Sequence, residues 1–142
     1  MSRESLFASA IVVMLASLPA FAGGLTITNA WSRSTPPGVT VGVVYFKLTN
    51  DTGKSDRLLK LSTPVASKVQ VHRTETLDGI ARMREVAVLH VDAGQTLEFA
   101  PNGMHLMLMG LKKPLVAGQR FDLELLFEVG GPRKVEVLVR RP

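Results

Sequence analysis

Apolar and polar residues alternate with a period of two along most of the chain beyond residue 24. Phe121, Leu123, Leu125 and Phe127 alternate with Asp122, Glu124 and Glu128, and Val135, Val137 and Val139 with Lys134, Glu136 and Arg140. Val44, Phe46 and Leu48 form one face of another segment, while Val69 and Val71 alternate with Lys68, Gln70 and His72. Successive side chains of a strand point to opposite faces, so these runs predict half-buried β-strands. Turn-forming residues separate them: Asn50-Asp51-Thr52-Gly53, Asp78-Gly79, Asp92-Ala93-Gly94, Pro101-Asn102-Gly103, Ala117-Gly118 and Gly130-Gly131-Pro132. No window of a dozen residues outside the N-terminal stretch carries a helical stripe. The pattern predicts an all-β domain of seven to nine short strands in an antiparallel β-sandwich or barrel.

The first residues follow another logic. After Ser2-Arg3-Glu4-Ser5, residues 6–22 carry no charge and end in Pro19-Ala20-Phe21-Ala22. A short apolar run closed by small residues predicts a secretory signal, residues 1–22, with cleavage after about Ala22. The run is shorter than the ~20 residues of a spanning helix and is broken by Pro19, so the mature protein is not expected to span a membrane. Residues 23–142 show no linker, repeat or composition break and are read as a single domain.

Composition narrows the chemistry. About 120 residues of a globular β-domain bury roughly two-thirds of their unfolded surface, enough for stability without cross-links. The sequence contains no cysteine. That excludes disulfide scaffolds, zinc fingers, cysteine nucleophiles, lipid anchoring through a thiol and an ordinary blue-copper site. The formal net charge of +5 is spread along the chain, which predicts a cationic surface and no nucleic-acid partner. There is no G-x-S-x-G elbow, Walker loop or H-E-x-x-H, and no enzymatic activity is expected. Glu98, Asp122 and Glu124 occupy alternate strand positions that belong to solvent. Trp31 and Tyr45 read as packing residues.

Methionine and histidine are the unusual residues. Three methionines crowd into Gly103-Met104-His105-Leu106-Met107-Leu108-Met109-Gly110. On a strand His105, Met107 and Met109 share one face, and Met104, Leu106 and Leu108 the other. Residues i and i+2 lie ~6.5–7 Å apart, so an imidazole and a thioether can converge on one ion. With imidazole and without thiolate, thioethers favour Cu(I) over zinc or hard cations. Met104 belongs to the buried face, and Met109 to the lip of the ligand face. His72 points away from the packed side that Val69 and Val71 define. Met83 lies between Arg82 and Arg84, a poor place for a core thioether and a suitable one for a rim ligand. His90, beside the Asp92-Ala93-Gly94 turn, is read as structural or exposed.

His72, Met83, His105 and Met107 form an H-x10-M-x21-H-x-M pattern. With its flanks, Gly103 to Gly110 followed by Leu111-Lys112-Lys113-Pro114-Leu115, it resembles the periplasmic copper chaperone family known as PCuAC. The resemblance extends to Ala30-Trp31-Ser32-Arg33, Tyr45-Phe46-Lys47-Leu48-Thr49-Asn50 and Gly118-Gln119, and so covers the mature chain. It implies a cupredoxin-like, Greek-key β-domain that binds Cu(I) through His72, Met83, His105 and Met107. It further implies a periplasmic, monomeric metallochaperone that passes copper by ligand exchange to an oxidase copper subunit or a thiol-bearing assembly factor. Many members of that family carry a His- and Met-rich C-terminal tail, whereas this sequence ends Val139-Arg140-Arg141-Pro142 after its last alternating run. One Cu(I) per chain is therefore expected. The competing expectation is an exported immunoglobulin-like adhesion or assembly module, with no metal and a Met-rich strand that is merely core.

Overall fold

Every alternating run forms a strand, and the turn residues fall between strands or, like Asn50 and Gly131-Pro132, at a strand end. The computed structural model describes residues 24–142; the signal expected at residues 1–22 lies outside the described residues. The strands are β1 (Leu25–Arg33), β2 (Val41–Asn50), β3 (Asp56–Ser62), β4 (Ala66–Leu77) and β5 (Ile80–Glu85). They continue with β6 (Leu89–Val91), β7 (Thr96–Phe99), β8 (Met104–Leu111), β9 (Arg120–Phe127) and β10 (Gly131–Arg140). Ten strands exceed the seven to nine that alternation predicts. β6 and β7 are three and four residues long, too short to display a period, and β5 is exposed at every position and has no buried face to register.

The strands pair in the order β5-β4-β8-β7-β2-β1-β10-β9-β3-β6, with β8 also pairing β2. A twisted sheet of this width buries its apolar face by curling on itself. Val44, Phe46 and Leu48 of β2 thus share one core with Leu106 and Leu108, Leu123, Leu125 and Phe127, and Val137 and Val139. Phe46 and Phe99 stack there with ring centroids 4.3 Å apart.

Most neighbouring strands pair antiparallel, as the alternation predicts, with two exceptions. β1 runs parallel to β10, pairing Trp31 with Leu138 and Arg33 with Arg140. Parallel neighbours need only a long connection, and here the whole domain between its first and last strands supplies it. β7 and β8 share one parallel bridge, Phe99 to Met104. Along β2, Phe46 pairs with Phe99 while Val44 pairs with Leu106. The chain therefore leaves β2 after Phe99, makes a short excursion and returns as β8. Its Pro101-Asn102-Gly103 turn, with Asn102 at φ 66°, is closed by a Gly103 N–H bond to the Ala100 carbonyl at 3.1 Å.

Two buried polar side chains hold loops. The Asn50 amide donates to the carbonyls of Lys54 (2.8 Å) and Val91 (3.0 Å), and its oxygen accepts from Thr52 N–H, locking the Asn50–Gly53 turn. The Asp56 carboxylate accepts from the N–H groups of Arg57, Val129 and Gly130 at 2.8–2.9 Å. Burial alone would raise its pKa, but these donors hold it below the ordinary carboxylate value.

Candidate metal centre

Two strand pairings assemble the candidate residues on the face of the sheet away from the core. β4 and β8 are antiparallel neighbours, with His72 opposite His105, Gln70 opposite Met107 and Val71 opposite Leu106. Val71 and Leu106 are buried core residues. Cross-strand partners share a face and residues i and i+2 share a face, so His72, Gln70, His105 and Met107 stand together on the other side. Met109 continues this row opposite Lys68 and Val41, half-buried, while Met104 packs in the core.

Met83 arrives through a hairpin. β4 and β5 are joined by Asp78 and Gly79 alone, both at positive φ (51° and 76°), the geometry that two-residue hairpins require. Such a turn fixes register, and here it sets Met83 opposite Thr74 and Glu85 opposite His72. Met83 is thereby diagonal to His72, and diagonal pairs lie ~7–8 Å apart, within reach of a long side chain. β5 is an edge strand, and Met83 is 61% exposed.

The two imidazoles have ring centroids 5.8 Å apart and planes inclined by 44°. His105 is buried at 4% exposure despite lying on the outer face. Its Nδ1 is 3.2 Å from the Gly103 carbonyl, an acceptor only, so Nδ1 carries the ring proton and Nε2 keeps its lone pair. His72 Nε2 lies 3.1 Å from Gln70 Oε1. The remaining nitrogens, His72 Nδ1 and His105 Nε2, are buried without a hydrogen-bond partner. Buried polar atoms are rarely left unsatisfied, so this pair marks a place for a ligand that accepts nitrogen lone pairs. Desolvation, followed by the neighbouring His105, lowers the His72 pKa, against a smaller upward pull from Glu85. These effects favour the neutral ring, the form that ligates metal.

Among the described residues no three His, Cys, Asp or Glu side chains gather as a metal cluster. The two imidazoles share this face with thioether sulfur, a donor set suited to a soft cation. His90 is exposed on β6 opposite Arg57, at the far end of the sheet order. Tyr45 is buried and packs 4.8 Å from Trp31, as expected of packing aromatics.

Gln70 and Gly103 were not singled out from the sequence. Gln70 stands two residues before His72 on its face, a signal that strand periodicity carries. The Gly103 carbonyl has none, because its approach to His105, and to Thr74 N–H at 3.2 Å, depends on the excursion between β7 and β8.

A family described as "Putative lipoprotein LpqE-like" matches residues 25–139, nearly all of the described chain. The chain belongs to the LpqE-like family and is of PCuAC type. The chain is 36% identical over 121 residues to "Putative lipoprotein Lxx21020" of Leifsonia xyli subsp. xyli, covering 84% of this chain and 71% of that protein. A Rickettsia prowazekii protein, RP573, is 29% identical over 126 residues, covering 86% and 69%. The fold of this LpqE-like chain is that of the copper-bound PCuAC domain from PmoF2, with a TM-score of 0.72 at 22% identity over 85% of this chain and 96% of that one. The solution structure of CuI-DR1885 from Deinococcus radiodurans matches with a TM-score of 0.65 at 30% identity, over 89% and 82%.

Proposed function

We propose that this chain is an exported copper(I) chaperone that holds one Cu(I) through His72, Met83, His105 and Met107 and hands it on by ligand exchange. The observation that carries the reading is the pair of buried, unpartnered imidazole nitrogens beside the Met107 thioether, with Met83 on the adjoining edge strand. Similarity to a Cu(I)-bound protein and to a copper-bound domain supports the choice of ion. The lipoprotein names of the family and of one relative, with the apolar leader, support export to the periplasm, although these 142 residues offer no cysteine for a lipid.

The site is graded from rigid to accessible. His105 is buried and braced by a backbone carbonyl; Met83 is exposed on an edge strand. A neutral thioether at the rim is the ligand an incoming donor displaces first, with His105 the last to release. Copper remains Cu(I) throughout, no substrate bond is made or broken, and the protein acts as a carrier. A thiolate or thioether acceptor, such as an oxidase copper subunit or a thiol-bearing assembly factor, fits this exchange.

X-ray absorption on the anaerobically loaded chain tests the reading. Two nitrogen and two sulfur neighbours are expected; an all-oxygen or all-nitrogen shell, or failure to take up Cu(I), would overturn it. Nothing favours the metal-free adhesion module, because Met107 and Met109 stand outside the core and only Met104 lies within it.

A further inference from the structure

We infer that Gln70 is a positioning residue of the copper site: its side-chain carbonyl holds His72 in the Nε2–H form and turns Nδ1 towards the metal. The inference rests on the copper reading above and adds the nitrogen that His72 offers and the group that selects it.

Gln70 and His72 are two residues apart on β4 and share its outer face, with Gln70 directly opposite Met107. Gln70 Oε1 is 3.1 Å from His72 Nε2. An amide oxygen accepts and never donates, so the nitrogen facing it carries the ring proton. A neutral imidazole has one such proton, which leaves a lone pair on Nδ1. That atom is buried and has no other partner. His105 is held the opposite way round, with its Nδ1 proton on the Gly103 carbonyl and its Nε2 free. One imidazole is thus oriented by backbone and the other by a side chain. Groups that hold the non-ligating nitrogen of a metal-binding histidine fix its tautomer and ring plane, and their loss typically weakens metal binding by about 10–100-fold. Only the Gln70 brace can be removed by substitution.

The test combines long-range ¹⁵N–¹H NMR of the histidine rings in the metal-free chain, above the imidazole titration range, with a Cu(I) competition titration. In the wild type, His72 should show a protonated Nε2 and a bare Nδ1, and Cu(I) loading should shift Nδ1. Gln70→Leu should yield a mixture of His72 tautomers and lower Cu(I) affinity by about tenfold or more, with His105 unchanged. Gln70→Glu keeps an acceptor at the same reach and should restore both readouts. A wild-type His72 protonated at Nδ1, or a Gln70→Leu chain with unaltered tautomer and affinity, would overturn the inference. A wild-type chain that shows the Nε2–H form but takes up no Cu(I) would overturn the copper reading and the metal-facing role with it, leaving only the Gln70–His72 contact.

Discussion

His72 and His105 are direct partners across β4 and β8 with ring centroids 5.8 Å apart, and each has one buried, unpartnered nitrogen. They are separated by more than thirty residues in sequence, and the pairing of their strands alone makes them neighbours. The Val71–Leu106 pair, packed in the core on the reverse face of the same ladder, holds that register. A slip of β4 by one residue would turn His72 inward and Val71 outward.

This arrangement gives acid sensitivity a definite sign. Thioethers carry no proton, so protons compete for the site only through the two imidazoles. Cu(I) affinity should be flat above neutrality and fall in acid as His72 takes up its proton. The His72 share should set in below the ordinary imidazole range, since desolvation lowers its pKa. Competition titrations at stepped pH check this; an affinity that does not fall in acid would mean that His72 does not ligate.

Stability of the metal-free chain should follow the same group. With the folded pKa of His72 below its reference value of 6.5, the unfolded chain binds the extra proton first as pH falls. The contribution of neutral His72 is therefore full above that value, declines between it and the lower folded pKa, and levels off beneath. Thermal unfolding across this window should show a steeper acid loss in the wild type than in His72→Asn.

Thioether ligands should separate cleanly from packing. Met83→Leu and Met107→Leu conserve volume and should cost less than about 1.5 kcal/mol in stability while clearly weakening Cu(I) binding. Met104→Leu, inside the core, should leave affinity unchanged. Equal losses for Met104→Leu and Met107→Leu in a competition titration would invert the assignment of faces.

The hairpin offers a control remote from any ligand. Gly79 sits at φ 76°, where a side chain costs roughly 1–2 kcal/mol. Gly79→Val should loosen the β4–β5 register and reduce Cu(I) affinity about as far as Met83→Leu does. The double variant should bind no more weakly than either single one. Additive losses would mean that the turn acts on the site by another route.

Native mass spectrometry after anaerobic titration should find one copper per chain, and His90→Ala should not change that count. A second tightly held ion would bring in Met109, which shares the face of Met107.

Read alone, the sequence determined the local geometry: which runs are strands, which of their faces are apolar, and that His105 shares a face with Met107 but not with Met104. Strand periodicity is a backbone property, so a period of two in hydrophobicity reports it directly. The Asp78-Gly79 turn was legible for the same reason, since two-residue hairpins require residues that tolerate positive φ. What the tertiary structure decided is everything that depends on which strand lies beside which: His72 against His105, β1 parallel to β10, and the short strands that carry no period. It also supplied the Gly103 carbonyl behind His105 and the Gln70 amide behind His72. Pairing partners are chosen by burial of the whole apolar face, a sum over distant residues, whereas alternation along a strand is written one residue after the next.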